Sequence, residues 1–158
     1  MIRSFRPEDE PRAAEILGNA FVHIFKGLKE QLGSELFAAI YGDGRKNRAE
    51  LLKTHIKNEP DHIVIAERNG KIVGVGTYHV SKPTQTGIIA ANGVDPDCGE
   101  KGVGQEMYSA ILERFRAEGL LYATVTTGLD EAHAPARRAY ERAGFGHAVN
   151  SVTYRMKL

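Results

Sequence analysis

The sequence predicts an α/β domain built on a mixed sheet, and three observations predict it. First, two apolar runs, His62 to Glu67 and Lys71 to Val80, are joined through Asn69-Gly70, the dipeptide that best suits a two-residue hairpin turn. Second, Gly87 to Val94, Gly102 to Glu118 and Leu121 to Thr127 follow one another as strand, amphipathic helix and strand. A strand returned through a helix lies parallel to its predecessor. Third, the N-terminal part carries apolar residues at helical spacing. One antiparallel hairpin and one parallel pair make the sheet mixed.

Each element has its own warrant. Ile2 to Phe5 is a short apolar strand. Glu8 to Asn19 is a helix with Ala13, Ala14, Ile16 and Leu17 on its apolar side. A second helical stretch runs from Phe21 to Tyr41, with Gly33 as the point where it breaks. Gly42-Asp43-Gly44 is a turn, and Arg48 to Ile56 is helical. The hairpin follows, then a loop from Lys82 to Gln85. In the helix from Gly102, Val103, Met107, Ala110, Ile111 and Leu112 gather near one side. Glu131 to Ala143 is a helix that stops at Gly144, a C-cap glycine, and Val149 to Met156 is a closing strand.

Composition narrows the function. A chain of 158 residues is expected to form one domain, spanning 1–158, with a sizeable core. Its net charge of +1 excludes the strong basic surplus of a dedicated nucleic-acid binder. No apolar run reaches the length of a membrane span, and the N-terminus has no signal-peptide core. Cys98 is the only cysteine, so an internal disulfide is excluded and a reducing cytoplasm is the expected location. The histidines show no metal-ligand spacing, and no metal is expected.

The richest segment is Val94-Asp95-Pro96-Asp97-Cys98-Gly99-Glu100-Lys101-Gly102-Val103-Gly104-Gln105. A strand enters a glycine-rich turn, and a helix opens from it. Unpaired N–H groups and the positive end of the helix dipole suit a phosphate there. Gly102 and Gly104 lack a Cβ, so an anion can approach the main chain, and Lys101 adds charge. A nucleotide-triphosphatase loop would need Gly-Lys-Ser/Thr, but Gln105 follows Gly104. A dinucleotide fingerprint would need a third glycine where Met107 stands. An ordinary helix-capping turn remains open on the glycines alone.

A second segment, Ala132-His133-Ala134-Pro135-Ala136-Arg137-Arg138-Ala139-Tyr140-Glu141-Arg142-Ala143-Gly144-Phe145, adds to the first. In order and spacing the pair resembles the GNAT superfamily, the Gcn5-related N-acetyltransferases. The family's Arg/Gln-x-x-Gly-x-Gly/Ala loop falls on Gly99 to Gly104, and its later helix motif on His133, Ala136, Tyr140, Gly144 and Phe145. Gly99 stands for the usual Arg/Gln and His133 for the usual Asn. The resemblance implies a mostly antiparallel mixed sheet with helices on both faces. It also implies a splayed parallel strand pair that takes the pantetheine arm of acetyl-CoA, the cosubstrate. A splay needs a break in pairing, and Gly93 is the expected bulge. A homodimer is an expectation of the family alone.

The chemistry implied is transfer of an acetyl group to an amine in a ternary complex. By resemblance the Val94 N–H donates to the thioester carbonyl, and the stretch through Gly99, Glu100, Lys101, Gly102, Val103, Gly104 and Gln105 holds the pyrophosphate. Tyr140 is the candidate general acid, with Ala136 one turn earlier leaving room for the arm. His133 and Arg137, with Arg138, are candidate contacts to the arm and the 3′-phosphate; a helix start and a solvated basic face are the plain alternatives. The strand Gly87 to Val94 has no carboxylate, so proton removal falls to a water chain or to a residue elsewhere, with His79, Tyr78, Asn92, His23 and Glu30 as the candidates. Phe21, Phe25, Phe37 and Tyr41 fit core packing as well as an acceptor pocket. The acceptor is a small-molecule or peptide amine. A catalytically silent acyl-CoA-binding module on the same fold is the competing reading.

Overall fold

The computed structural model describes residues 1–158. Five strands form one sheet in the order β1-β2-β3-β4-β5. They are β1 (Ile2–Ser4), β2 (Ile63–Arg68), β3 (Lys71–Ser81), β4 (Thr86–Val94) and β5 (Tyr122–Val125). Every neighbouring pair is antiparallel except β4 and β5, which run parallel. Asn69 and Gly70 both take positive φ, 49° and 73°, as the two-residue turn between β2 and β3 requires.

Six helices flank the sheet: α1 (Glu10–Ala20), α2 (Val22–Leu32), α3 (Ser34–Tyr41), α4 (Gly44–Asn58), α5 (Val103–Ala117) and α6 (Ala134–Arg142). Gly33 breaks the second helical stretch into α2 and α3 through a φ of 77°. Asp43 caps α4 by accepting from the N–H groups of Arg45 and Lys46. One core lies between the sheet and α1 with α4, where Ala13, Ile16, Leu17, Leu52, Ile63, Ile65 and Val75 are buried. The other lies beneath α5, where Val64, Met107, Ile111, Tyr108, Phe115 and Tyr140 meet. α6 packs against α5. No helix is long and apolar enough to cross a membrane.

Two expectations are corrected. The closing strand over 149–156 does not form. The tail carries no regular structure, and Val149, Val152, Tyr154 and Met156 are exposed. The apolar spacing skips a beat between Val149 and Val152, so these side chains cannot all share one pleated face. The tail's amides also find no strand edge. The bulge, in turn, is not at Gly93. Gly93 pairs in register with Val75, while the shift falls where Thr77 opposes both Ala90 and Ala91. The Thr77 hydroxyl donates to the Ala91 carbonyl at 3.1 Å, a side-chain bond across the bulge. Gly93 is needed for another reason: a Cβ there would lie 2.8 Å from that of Ala20 on α1.

Candidate active site

β4 and β5 pair only from Thr86 to Ile89 and from Tyr122 to Val125. Beyond Ile89 the parallel partner ends while β4 runs on to Val94, so one edge of 90–94 is open. The ladder phase fixes what points there. The Asp95 N–H donates to the Val73 carbonyl, which makes that a hydrogen-bonded pair. Val94, opposite Gly74, therefore occupies a non-hydrogen-bonded position, and its N–H faces away from β3 toward the open edge.

The chain then turns through Asp95, whose carboxylate accepts from the Asp97 N–H at 2.9 Å and from the Arg12 guanidinium. Gly99 and Gly102 take φ of 69° and 85°, left-handed values that turn the chain into α5. The backbone N–H groups from Gly99 to Gln105 have no acceptor within the chain; the first helical bond of α5 is made by Glu106. That run of free donors stands at the N-terminus of a 15-residue helix. A Cβ on Gly104 would meet nothing nearer than 3.9 Å, so the approach is clear. The site can thus hold a polyphosphate by its main chain.

Side chains of the same segment serve elsewhere. Glu100 pairs with Arg68 at 2.8 Å, the Gln105 amide donates to the Ala139 carbonyl at 2.6 Å, and Val103 is buried in the core. Lys101 is exposed and unpaired. Cys98 is half-buried, its thiol 3.8 Å from the Glu100 carbonyl.

Tyr140 reaches the open edge from α6. It is 7% exposed, and its hydroxyl oxygen accepts from the Asn92 amide at 3.1 Å, leaving its own proton free to donate. The Asn92 carbonyl oxygen accepts from the Tyr108 hydroxyl at 2.8 Å. Burial, with Tyr140 beside it, pushes the Tyr108 phenol far above its ordinary range, so Tyr108 serves as a fixed neutral donor. Asn92 is therefore the clamp that sets Tyr140, a role its position in an apolar strand does not advertise.

His133 and Arg137 shape the loop ahead of α6. The His133 ring is 2.7 Å from the Asp130 carboxylate, and Arg137 donates at 2.7 Å to the carbonyls of both Gly128 and Asp130. One guanidinium nitrogen of Arg137 is thus engaged by the chain itself, and its sequence neighbour Arg138 is exposed. Ala136 is half-buried against the α5-side core.

On the opposite face of the sheet lies a pocket of about 380 Å³, lined by residues of α1, α4, β3 and β4, including Ala90 and Ala91 at the bulge. His55, Glu59 and His79 converge there, their donor atoms within 4.8 Å of one another, close enough to hold a metal ion. Sequence spacing gave no ligand set because the fold assembles it from α4, its C-cap and β3. The His79 Nδ1 contacts the Glu59 carboxylate, and His55 Nε2 lies 3.2 Å from the His62 carbonyl. Burial, then the neighbouring His79, lowers the His55 pKa. Burial would raise Glu59, but the bond from His79 and the surrounding imidazoles bring it below the usual carboxylate value.

The other candidates for base stand apart from this cluster. Tyr78 is buried on the α5 side with its hydroxyl on the Asp61 carbonyl, and His23 and Glu30 are exposed on α2. Phe21, Phe25, Phe37 and Tyr41 pack on one another, with centroids 5.3 to 6.1 Å apart. The Arg48 guanidinium sits 3.8 Å over the Phe21 ring.

Comparison with known proteins agrees with the fold. Residues 28–145 match the model of the acetyltransferase (GNAT) family. Mycothiol acetyltransferase from Streptomyces bingchenggensis (strain BCW-1) is 25% identical over 162 residues, covering 98% of this chain and 45% of that relative. The chain therefore spans less than half the length of that curated relative. PaiA N-acetyltransferase from Thermoplasma acidophilum, solved in complex with coenzyme A, superposes with a TM-score of 0.71 at 14% identity, covering 96% of this chain and 92% of that one. Ribosomal-protein-alanine N-acetyltransferase from Brucella melitensis gives a TM-score of 0.63 at 19% identity, covering 94% and 86%. At such identities the neighbours show a shared fold, while the family model covers most of the sequence. The chain belongs to the acetyltransferase (GNAT) family.

Proposed function

We propose that this protein is an N-acetyltransferase that moves an acetyl group from acetyl-CoA to an amine by direct transfer in a ternary complex. The observation that carries the reading is the continuous path from the free amides at 99–105 to the outward Val94 N–H and on to Tyr140. Acetyl-CoA supplies the activated acyl group. The chain's contribution is to bind and orient. The amides from Gly99 to Gln105 hold the pyrophosphate, with Lys101 adding charge. The Val94 N–H donates to the thioester oxygen, where negative charge develops, and one preorganised donor of this kind is worth about 3 kcal/mol. Tyr140, clamped by Asn92, gives its proton to the departing sulfur. His133, with Asp130 on one ring nitrogen, keeps the other available to the cofactor arm.

Thermal unfolding with acetyl-CoA tests the binding half. A ligand of the native state at 100 times its Kd adds about 2.7 kcal/mol. For a chain of this size that is about 5–10 °C in Tm, and the rise must track ligand concentration. No shift at millimolar acetyl-CoA overturns the reading. Thiol release with an amine panel tests the transfer half and separates an enzyme from a silent binder.

A further inference from the structure

The pocket on the α1/α4 face carries a charge pattern that the cofactor path does not use. Arg48 lines it, makes no ion pair, and has a buried Nε without a hydrogen-bond partner. Its guanidinium lies 3.8 Å over Phe21 and 5.3 Å over Phe25, so it is held rigidly by aromatic faces. Burial lowers its pKa from the usual arginine value, with no carboxylate to offset it. By contrast Arg3, Arg12 and Arg68 all pair with carboxylates. A half-buried guanidinium with free donors is a site for a planar anion, above all a carboxylate.

The same pocket holds the His55, Glu59 and His79 cluster, in which the His79 Nδ1–H donates to the Glu59 carboxylate. Besides Glu59, the groups around His79 are the His55 ring, 4.7 Å away between centroids, and His62, which faces the other Glu59 oxygen. His55 donates its Nε2 proton to the His62 carbonyl and stays neutral through burial. Leu17, Leu52, Ala90 and Ala91 supply the apolar walls.

We infer that the acceptor is a small amine that carries a carboxylate, a free amino acid with an apolar side chain, its carboxylate held by Arg48 and its side chain against Leu17, Leu52, Ala90 and Ala91. The inference rests on the transferase reading above. An ammonium sheds two protons on becoming an amide. One passes to solvent, and the other balances the proton that the sulfur takes from Tyr140. The N–C bond forms, the C–S bond breaks, and its electron pair leaves on sulfur.

The test uses L-phenylalanine, L-leucine and L-methionine, each against its decarboxylated amine. Calorimetry in the presence of CoA reads binding, and thiol release from acetyl-CoA reads turnover. The amino acid of each pair is favoured about 10- to 150-fold in kcat/KM, the range of one hydrogen-bonded charge. Arg48→Met abolishes that preference through KM and the calorimetric Kd, with kcat held; Arg48→Lys restores part of it. Equal use of both amines, a preference that survives Arg48→Met, or no turnover of any pair by a protein that binds acetyl-CoA overturns this inference and spares the cofactor site. Failure to bind acetyl-CoA overturns both.

Discussion

Replacing Tyr140 by Phe removes one oxygen and isolates its contribution. In the fold, that oxygen accepts a single hydrogen bond, from the Asn92 amide at 3.1 Å. The amide keeps a second acceptor, the Ala90 carbonyl at 3.2 Å, and the Asn92 carbonyl oxygen keeps the Tyr108 hydroxyl. The ring contacts to Tyr108 and Phe145, at 5.1 and 6.1 Å between centroids, survive. Stability should therefore fall by only about 0.5–1.5 kcal/mol, one neutral hydrogen bond. Catalysis should suffer more. Loss of a positioned general acid costs about 10²- to 10⁴-fold, or about 3–5 kcal/mol of barrier. The assay is thiol release at saturating acetyl-CoA, with urea unfolding for stability and calorimetry for CoA affinity. The expected result is a kcat lower by at least about 100-fold with CoA affinity within about threefold. Turnover within threefold of the parent would remove Tyr140 from the acid role, whatever the stability result.

Two further outcomes follow from the cores. Met107 is fully buried between α5 and the sheet, so Met107→Ala should cost about 2–5 kcal/mol in urea unfolding, with the denaturant slope unchanged; a loss under 1 kcal/mol would show that the α5-side core can collapse around the gap. Asp9 is 3% exposed, and its hydrogen bonds from the Arg3 guanidinium at 2.7 and 2.9 Å hold its carboxyl below the usual range, helped by the Arg6 N–H. Because the folded pKa is depressed, its stabilisation is complete above the unfolded value of about 3.9 and is lost as pH falls through the folded one. Asp9→Asn should therefore be about 1–3 kcal/mol less stable at pH 7, and converge on the parent under acid; a difference that stays constant from neutral pH down to pH 2 would refute this assignment.

Local signals carried much of the fold. Asn69-Gly70, Gly33 and the strand-helix-strand run from Thr86 to Val125 each appear where the chain pattern places them, because each is decided by short-range backbone preference and periodicity. The glycine-rich turn was legible for the same reason, since its glycines and its free amides lie in one short stretch. The pocket was not. His55, Glu59 and His79 lie on separate elements, and only the packing of α4 on the sheet brings them together. Arg48 reads as one more surface cation until its aromatic bed and missing partner are seen. The tail over 149–156 failed in the other direction: apolar residues suggested a strand, but a strand exists only where an edge receives it.

The bulge at Ala90–Ala91 ties the two halves of the site together. In a regular strand Ile89 and Asn92, three residues apart, would face opposite sides of the sheet. The extra residue brings both to the α5 side, Ile89 into the core and Asn92 onto Tyr108 and Tyr140. It also leaves Ala90 and Ala91 together at the wall of the opposite pocket. β4 and β5 part at this same place, so the open edge that would take the pantetheine arm begins where the pocket meets the sheet. Ala90 and Ala91 put only methyl groups at the pocket wall there, with the Glu59–His79 pair lining the same pocket. Thr77 completes the arrangement by bonding the Ala91 carbonyl across the bulge, a side-chain link between β3 and β4 at the irregularity.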